Sequence, residues 1–217
     1  MDFAKPFTFV FEDQNWLSKI ALVAVISLIP VVGVLVLLGW GLEITRRVIR
    51  DELPILPEVD FGKHLGDGFK GFVIGLVYSV PMLVLVILMS VFSAALSNSY
   101  NTDFANAVLI LLVVCLALFI LLYGLVLNLL APAAYARFAA TGSMSAAFQF
   151  GEVWRTVTAN LGGYVLVVLA TILAGFIAGL GSIACVIGVI FTGTYAAAVL
   201  YHFYGQAYKQ ARLNRSL

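Results

Sequence analysis

Side chains that could bind an ion or transfer a proton are scarce in the long apolar stretches of this chain. No aspartate, glutamate, lysine or arginine lies at the centre of the apolar stretches that follow residue 70. Ion-coupled carriers and proton pumps usually need such a group, because it changes its charge on binding. The polar residues left at depth are Asn128, Thr171, Thr192, Thr194 and His202.

Three of the chain's polar residues can be given a chemical interpretation. For Asn128 two interpretations stay open: a hydrogen bond to a neighbouring helix, or a place on the wall of a solute path. His202 has no second histidine or cysteine at ligand spacing, which favours an interfacial side chain over a metal ligand. Glu43 is four residues from Arg47, the spacing of an ordinary ion pair on one helix face.

Motifs of catalysis and cofactor binding are absent from the sequence. It holds no Gly-x-x-x-x-Gly-Lys loop, no His-Glu-x-x-His and no Gly-x-Ser-x-Gly. Cys115 and Cys185 lie in apolar stretches and offer neither a disulfide framework nor metal spacing. We therefore predict no catalytic or metal-binding residue, assign no cofactor-binding residue, and expect a protein without a cofactor that is not an enzyme.

The composition is that of a membrane protein. Of 217 residues, 63% are hydrophobic and 11% are charged, against about 45–50% and about 25% in an ordinary soluble domain. Sixteen of the 23 charged residues lie in residues 1–70, so the rest of the chain must meet lipid or itself. The net charge of +1 argues against a nucleic-acid partner.

Uncharged intervals predict an all-α protein with four transmembrane helices. A helix needs about 20 apolar residues to cross about 30 Å of hydrocarbon. The interval 156–208 would be about 80 Å long as one helix, so it must fold back near Gly175 and Gly179. Pro81 and Pro132 are candidate hinges. The predicted spans are 71–95, 108–130, 164–177 and 183–204.

A fifth apolar segment, residues 20–42, is broken at its middle by Pro30 and Gly33. Two arrangements stay open. The segment crosses once and leaves the N-terminus outside, or it enters and returns at Pro30 as a re-entrant hairpin. In the hairpin each half-helix of about ten residues reaches about 15 Å, and the N-terminus stays inside.

Two amphipathic segments, 60–70 and 143–159, are predicted to lie along the membrane surface. Asp60 is placed to cap the first and Ser143 to start the second. The apolar residues predicted to share one face of the second are Phe150, Val153, Trp154, Val157 and Leu161.

The distribution of cations predicts the topology. Ten of the twelve lysines and arginines fall in three segments, 46–70, 137–155 and 209–215. By the positive-inside rule these segments are cytoplasmic, as is the C-terminus, whereas the connection 97–103 faces outward.

Small residues four apart are the one positive signal for association. The pairs Gly71 with Gly75 and Gly175 with Gly179 allow helices to approach closely in lipid, as does the pair of Ala174 and Ala178. They favour compact packing within the chain or against another membrane subunit, and the partners expected are other membrane subunits or a second copy of the chain. We therefore predict a non-enzymatic scaffold or accessory subunit of a membrane assembly.

Two other functions stay open. Residues 29–35 resemble residues 184–190, which suggests two related hairpins and a small-solute transporter or channel with prolines as hinges. An enzyme acting on lipid is the third alternative, although no cluster of acid, base and nucleophile supports it.

Several motifs in the chain resemble those of a prokaryotic membrane family, domain of unknown function 4013. The most specific is Pro57-Glu58-Val59-Asp60-Phe61-Gly62-Lys63, where the family pattern often has tryptophan in place of Val59. The resemblance implies a multi-pass protein of the inner (plasma) membrane of a bacterium or archaeon, and no catalytic residues. The other matching elements are Asp13, Trp16, Lys19, Ile29-Pro30, Gly33, Arg46-Arg47, Asp67-Gly68-Phe69-Lys70, Tyr78 to Pro81, and His202 to Tyr208.

Overall fold

A computed structural model describes residues 1–99 and 103–216, without the side chains of 96–99, 103–105 and 184–187. The described residues are helical and contain no β-strand, in agreement with the predicted all-α class. Two 3-10 turns, Phe9–Glu12 and Gly181–Ala184, join helices. The α-helices are α1 (Lys5–Thr8), α2 (Trp16–Ser27), α3 (Val32–Arg50), α4 (Phe61–Ser99), α5 (Asp103–Thr141), α6 (Met144–Ala147), α7 (Phe150–Ala159), α8 (Leu161–Leu180) and α9 (Cys185–Ser216).

Three of the described helical segments are long and apolar enough to cross a membrane. They are Phe61–Ala95, Asn106–Thr141 and Leu161–Ile183, and they contain the spans predicted at 71–95, 108–130 and 164–177. The span predicted at 183–204 begins in the turn Gly181–Ala184 and otherwise falls in α9, which is not among the three. The predicted outward connection 97–103 includes residues 100–102, which lie outside the described residues.

The segment 20–42 is broken where Pro30 and Gly33 predicted. Helix α2 ends at Ser27 and α3 begins at Val32. Val31 has a φ of 66°, a value that a branched side chain rarely adopts. A Cβ on Gly33 would lie 2.6 Å from the Cα of Ser27. A glycine is therefore required where the chain turns back against the end of α2.

The segment that follows α3 contacts both helices of this pair. The Lys19 ammonium, near the start of α2, donates to the carbonyl of Leu56 at 3.1 Å. The Trp40 indole on α3 donates to the carbonyl of Pro57 at 3.1 Å. Both acceptors lie in the segment that follows α3, so α2 and α3 form a helical hairpin in which the start of α2 is level with Trp40 in the middle of α3.

The predicted surface segment 60–70 and the predicted span 71–95 form one continuous helix, α4. The carboxylate of Asp60 accepts from the backbone N–H of Lys63 at 3.0 Å, which confirms the predicted cap. Both segments have helical periodicity, and nothing between them breaks a helix. Pro81 lies inside α4 and Pro132 inside α5, and neither ends its helix.

The second predicted surface segment, 143–159, is two helices, α6 and α7. Of the residues predicted to share one apolar face, Leu161 belongs to α8 instead. Val153 and Val157 are buried, whereas Trp154 is 54% exposed, so the packed face of α7 includes only part of the predicted apolar face. Phe150 and Leu161 are also exposed.

The chain divides into two compact units, residues 1–74 with 129–217, and residues 75–128. In the first unit α3 packs along α9 in the same direction. The Thr45 hydroxyl donates to the carbonyl of Tyr201 at 2.8 Å, and one turn later Val48 meets Gly205. In the second unit the Tyr123 hydroxyl donates to the carbonyl of Tyr78 at 2.7 Å.

Candidate functional site

Helices α3 and α4 cross in direct backbone contact. A Cβ on Gly39 would overlap the carbonyl oxygen of His64, and a Cβ on Gly68 would overlap that of Leu35. Only glycine fits at either position. Gly71 lies next along α4, where a Cβ would meet the side chain of Leu42 at 2.9 Å. The predicted packing role of Gly71 thus has a partner, the side chains of α3.

Beside this crossing lies a nearly buried carboxylate, that of Glu43, whose side chain is 6% exposed. It forms ion pairs with Arg46 on its own helix and with Lys63 of α4 at 3.1 Å. The predicted partner Arg47 is 3.5 Å away. Arg46 also pairs with Asp67 of α4 at 3.1 Å. The network therefore fastens α3 to α4.

This environment lowers the pKa of Glu43. Burial alone would raise it. The hydrogen bond from Lys63 and the positive charges of Arg46 and Arg47 outweigh burial and hold the pKa below its ordinary range. Glu43 is therefore ionised at neutral pH, and its ion pairs hold α3 and α4 together.

The three cation-rich segments of the sequence meet one another in the first unit. Arg46 donates to the carbonyl of Ala139 at 3.1 Å. Lys209 pairs with Asp51 at 2.5 Å, and Arg215 pairs with Glu152 at 2.9 Å. The segments around residues 46–70, 137–155 and 209–215 thus lie together, as they would on one side of a membrane.

The small residues of α8 lie on two different faces. Ala174 is buried, and the carbonyl of Ala178 accepts from the Thr192 hydroxyl of α9 at 3.1 Å. Gly175 and Gly179 are exposed, and a Cβ on either would meet nothing within 4 Å. The alanine pair therefore serves packing within the chain, and the glycine pair is open.

The open glycines lie on an apolar surface that we call the α8 groove. It is a shallow depression between exposed side chains, and Phe176 at its edge is 70% exposed. The residues that line it are Ile172, Gly175, Phe176, Gly179, Leu180, Ser182 and Ile183.

The remaining predicted site residues lie apart from these features. The Asn128 amide donates to the carbonyl of Gly124 one turn earlier, at 2.8 Å, and is exposed. This bond stays within α5 and does not join two helices. The carbonyl of Gly75 accepts from the Ser79 hydroxyl at 2.9 Å. Pro81 is exposed and Pro132 is buried.

Sequence reasoning missed Gly39, Gly68, Lys63 and Asp67 as structural residues. The glycines escaped notice because they are not four apart on one helix. Their partners lie on a different helix, about 30 residues away along the chain. The weak signal that was available is the presence of three glycines, Gly66, Gly68 and Gly71, in one stretch of α4.

Comparison with known proteins gives one match. The family model described as protein of unknown function (DUF4013) matches residues 22–187, well over half of the chain. No curated protein and no solved structure matches the chain. The chain therefore belongs to this family, as the resemblance of its motifs implied.

Proposed function

We propose that this member of the DUF4013 family is a non-enzymatic scaffold or accessory subunit that works by binding a helix of another membrane subunit. The observation that carries the proposal is the α8 groove. Its two glycines are open in a helix that is apolar and long enough to cross a membrane.

The reason lies in how helices associate in lipid. Lipid chains are as apolar as leucine, so association depends on close packing, which small residues permit. This chain already uses that device where Gly39 and Gly68 bring α3 against α4. Gly175 and Gly179 repeat the same feature, and no described element of the chain covers them.

We further propose that α2 and α3 form a re-entrant hairpin. The hairpin begins and ends on the cytoplasmic side, so the N-terminus of the protein lies on that side too. The hydrogen bonds from Lys19 and Trp40 to Leu56 and Pro57 bring the start of α2 level with Trp40, near the end of the apolar segment 20–42. Apolar side chains are exposed along it up to its tip, where Val31 is 74% exposed. The parts of α2 and α3 that lie within residues 20–42 are each about 15 Å long, so they reach the middle of a hydrocarbon layer of about 30 Å and return, and the rest of α3 continues beyond it. This geometry favours the hairpin over a single crossing.

Purification from the membrane in a gentle detergent tests the proposed association. The wild-type chain should carry a stoichiometric membrane partner or a second copy of itself. Gly175→Leu and Gly179→Leu should abolish that association by filling the α8 groove. Gly162→Leu is the matched control, because Gly162 is also exposed on α8 with open space around it. A partnerless monomeric wild-type chain would refute the proposal.

A further inference from the structure

We propose that the first unit holds a binding site for a phosphate group, that of an anionic phospholipid. The site is a pocket of about 380 Å³, which we call the basic pocket. It is formed by α1, the end of α3, the segment after α3, and α9. Its polar lining residues are Lys5, Arg47, Asp51, His202, Gln206 and Lys209.

Cations dominate the wall of this pocket. The wall carries three cations, Lys5, Arg47 and Lys209, and one carboxylate, that of Asp51. Lys209 pairs with Asp51, and Lys5 pairs with Glu12 at 2.7 Å. Both lysine side chains are about 40% exposed. Ion pairs that are so open to water are weak, so a phosphate can share these cations without a large loss.

The third cation is held in place by the backbone. The Arg47 guanidinium donates to the carbonyl of Pro54 at 2.6 Å, and its distance to Glu43 is 3.5 Å. That contact is a hydrogen bond from Nε of Arg47 to Oε1 of Glu43, and Nη2 of Arg47 donates no hydrogen bond among the described residues. Arg47 therefore keeps donors for a ligand. Arginine binds phosphate oxygens well because its guanidinium presents several N–H groups in one plane.

A buried histidine adds an unused donor. The Gln206 amide oxygen accepts from the backbone N–H of Asp2 at 3.0 Å, so its nitrogen faces Nδ1 of His202 at 3.4 Å. An Nδ1 that accepts a hydrogen bond leaves the proton of the neutral ring on Nε2. This Nε2 is buried without a hydrogen-bond partner among the described residues. His202 lines the basic pocket, and a bound phosphate oxygen that reached this Nε2 would relieve the cost of a buried donor without an acceptor.

The rest of the lining favours a lipid over free phosphate. Val48, Leu53 and Ile55 complete the wall, and Leu53 is 83% exposed. A free phosphate gains nothing from contact with apolar side chains, whereas a phospholipid has glycerol and acyl chains beside its phosphate that can pack against them. Basic pockets between helices at a membrane surface commonly hold anionic headgroups.

The test measures lipid binding to the purified full-length protein in detergent by native mass spectrometry. The probes are phosphatidylglycerol, phosphatidylcholine and inorganic phosphate. The wild-type chain should bind phosphatidylglycerol more tightly than phosphatidylcholine. Lys5→Gln and Lys209→Gln should each weaken binding of phosphatidylglycerol about fivefold. Lys209→Arg, which keeps the charge, should retain it.

Lys70→Gln is the matched control, since the Lys70 side chain is 45% exposed, pairs with Asp67, and does not line the pocket. It should bind phosphatidylglycerol like the wild type. If millimolar inorganic phosphate displaced bound phosphatidylglycerol as effectively as added phosphatidylglycerol does, the site would be one for free phosphate. That result would overturn the lipid proposal. Equal binding by wild type, Lys5→Gln and Lys209→Gln, or an equal loss in Lys70→Gln, would also overturn it. A variant counts only if it elutes from size exclusion as the wild type does.

Discussion

At the scale of single residues, the absence of a side chain matters as much as its presence. Gly39 and Gly68 let two backbones touch, and Glu43 draws cations from two helices into one network. The pairing of Glu43 with Arg47 could be predicted because it depends on local helix spacing. The contact of Glu43 with Lys63 could not, because it depends on how α3 and α4 cross.

Alanine at Gly39 or Gly68 should destabilise the fold. A Cβ at either position would overlap a backbone carbonyl oxygen that cannot move aside, so we expect a loss of about 1–3 kcal/mol or more in the free energy of unfolding. Gly66→Ala on the same helix is the control, since a Cβ there meets nothing within 4 Å. Alanine also has a higher helix propensity than glycine. Thermal unfolding in detergent should therefore rank Gly66→Ala at or above wild type and Gly39→Ala below it. Equal unfolding temperatures for the two variants would disprove this close contact.

The ion-pair network around Glu43 should make stability depend on acidity. The folded-state pKa of Glu43 lies below its ordinary value of 4.5. The contribution of Glu43 to the free energy of unfolding is therefore complete above about pH 4.5. It is lost as the pH falls through the lower pKa that Glu43 has in the folded state. We expect Glu43→Gln to cost about 1–3 kcal/mol at neutral pH, and to cost progressively less as the solution is acidified below pH 4.5.

Glu52→Gln provides the comparison for that experiment, because Glu52 is half exposed and lies 3.7 Å from Arg50. From pH 7 to pH 3, the unfolding temperature of Glu52→Gln should differ little from that of the wild type measured at the same pH. A Glu43→Gln variant that behaved like Glu52→Gln at every pH would show that the network contributes no stability.

At the scale of helices, the sequence predicts where a helix is interrupted, but not where two predicted helices continue as one. Pro30 and Gly33 interrupt the chain visibly, and the structure turns there. The joining of 60–70 to 71–95 was missed because an amphipathic surface helix and an apolar span share the same period. In α7 the buried face is set by contacts with other helices, which the periodicity of one segment cannot show.

The proposed hairpin can be tested by cysteine labelling in intact cells. In a background without Cys115 and Cys185, single cysteines replace Ser18, Ser99 or Ser216. A membrane-impermeant thiol reagent should label the cysteine at 99, and leave those at 18 and 216 protected. This pattern is expected because both chain ends are placed on the cytoplasmic side.

Two other labelling patterns have distinct meanings. Labelling at 18 and 99 with protection at 216 would rule out the hairpin and leave a single crossing by residues 20–42. Labelling at 216 would contradict the whole topology. Permeabilised cells, in which all three cysteines should react, control for reactivity.

At the scale of the whole molecule, composition alone predicted a helical membrane protein. Three helical segments of the described chain are long and apolar enough to span a bilayer, and the family match agrees with the motifs. Which small residues stay open could not be predicted, because Ala174 and Gly175 are neighbours in sequence and face different surroundings. Only the packing of α8 on α9 separates the covered alanine pair from the open glycine pair.

The most direct test of association is to extract the protein from the membrane together with its surrounding lipid. Native mass spectrometry or light scattering then measures the mass of the extracted protein unit. One chain has a mass of 23.4 kDa. We expect a protein mass well above this value, from a second copy or from a stoichiometric partner, and its return to 23.4 kDa in Gly175→Leu but not in Gly162→Leu. A wild-type protein mass of 23.4 kDa would contradict the proposal that this protein works by binding another membrane subunit.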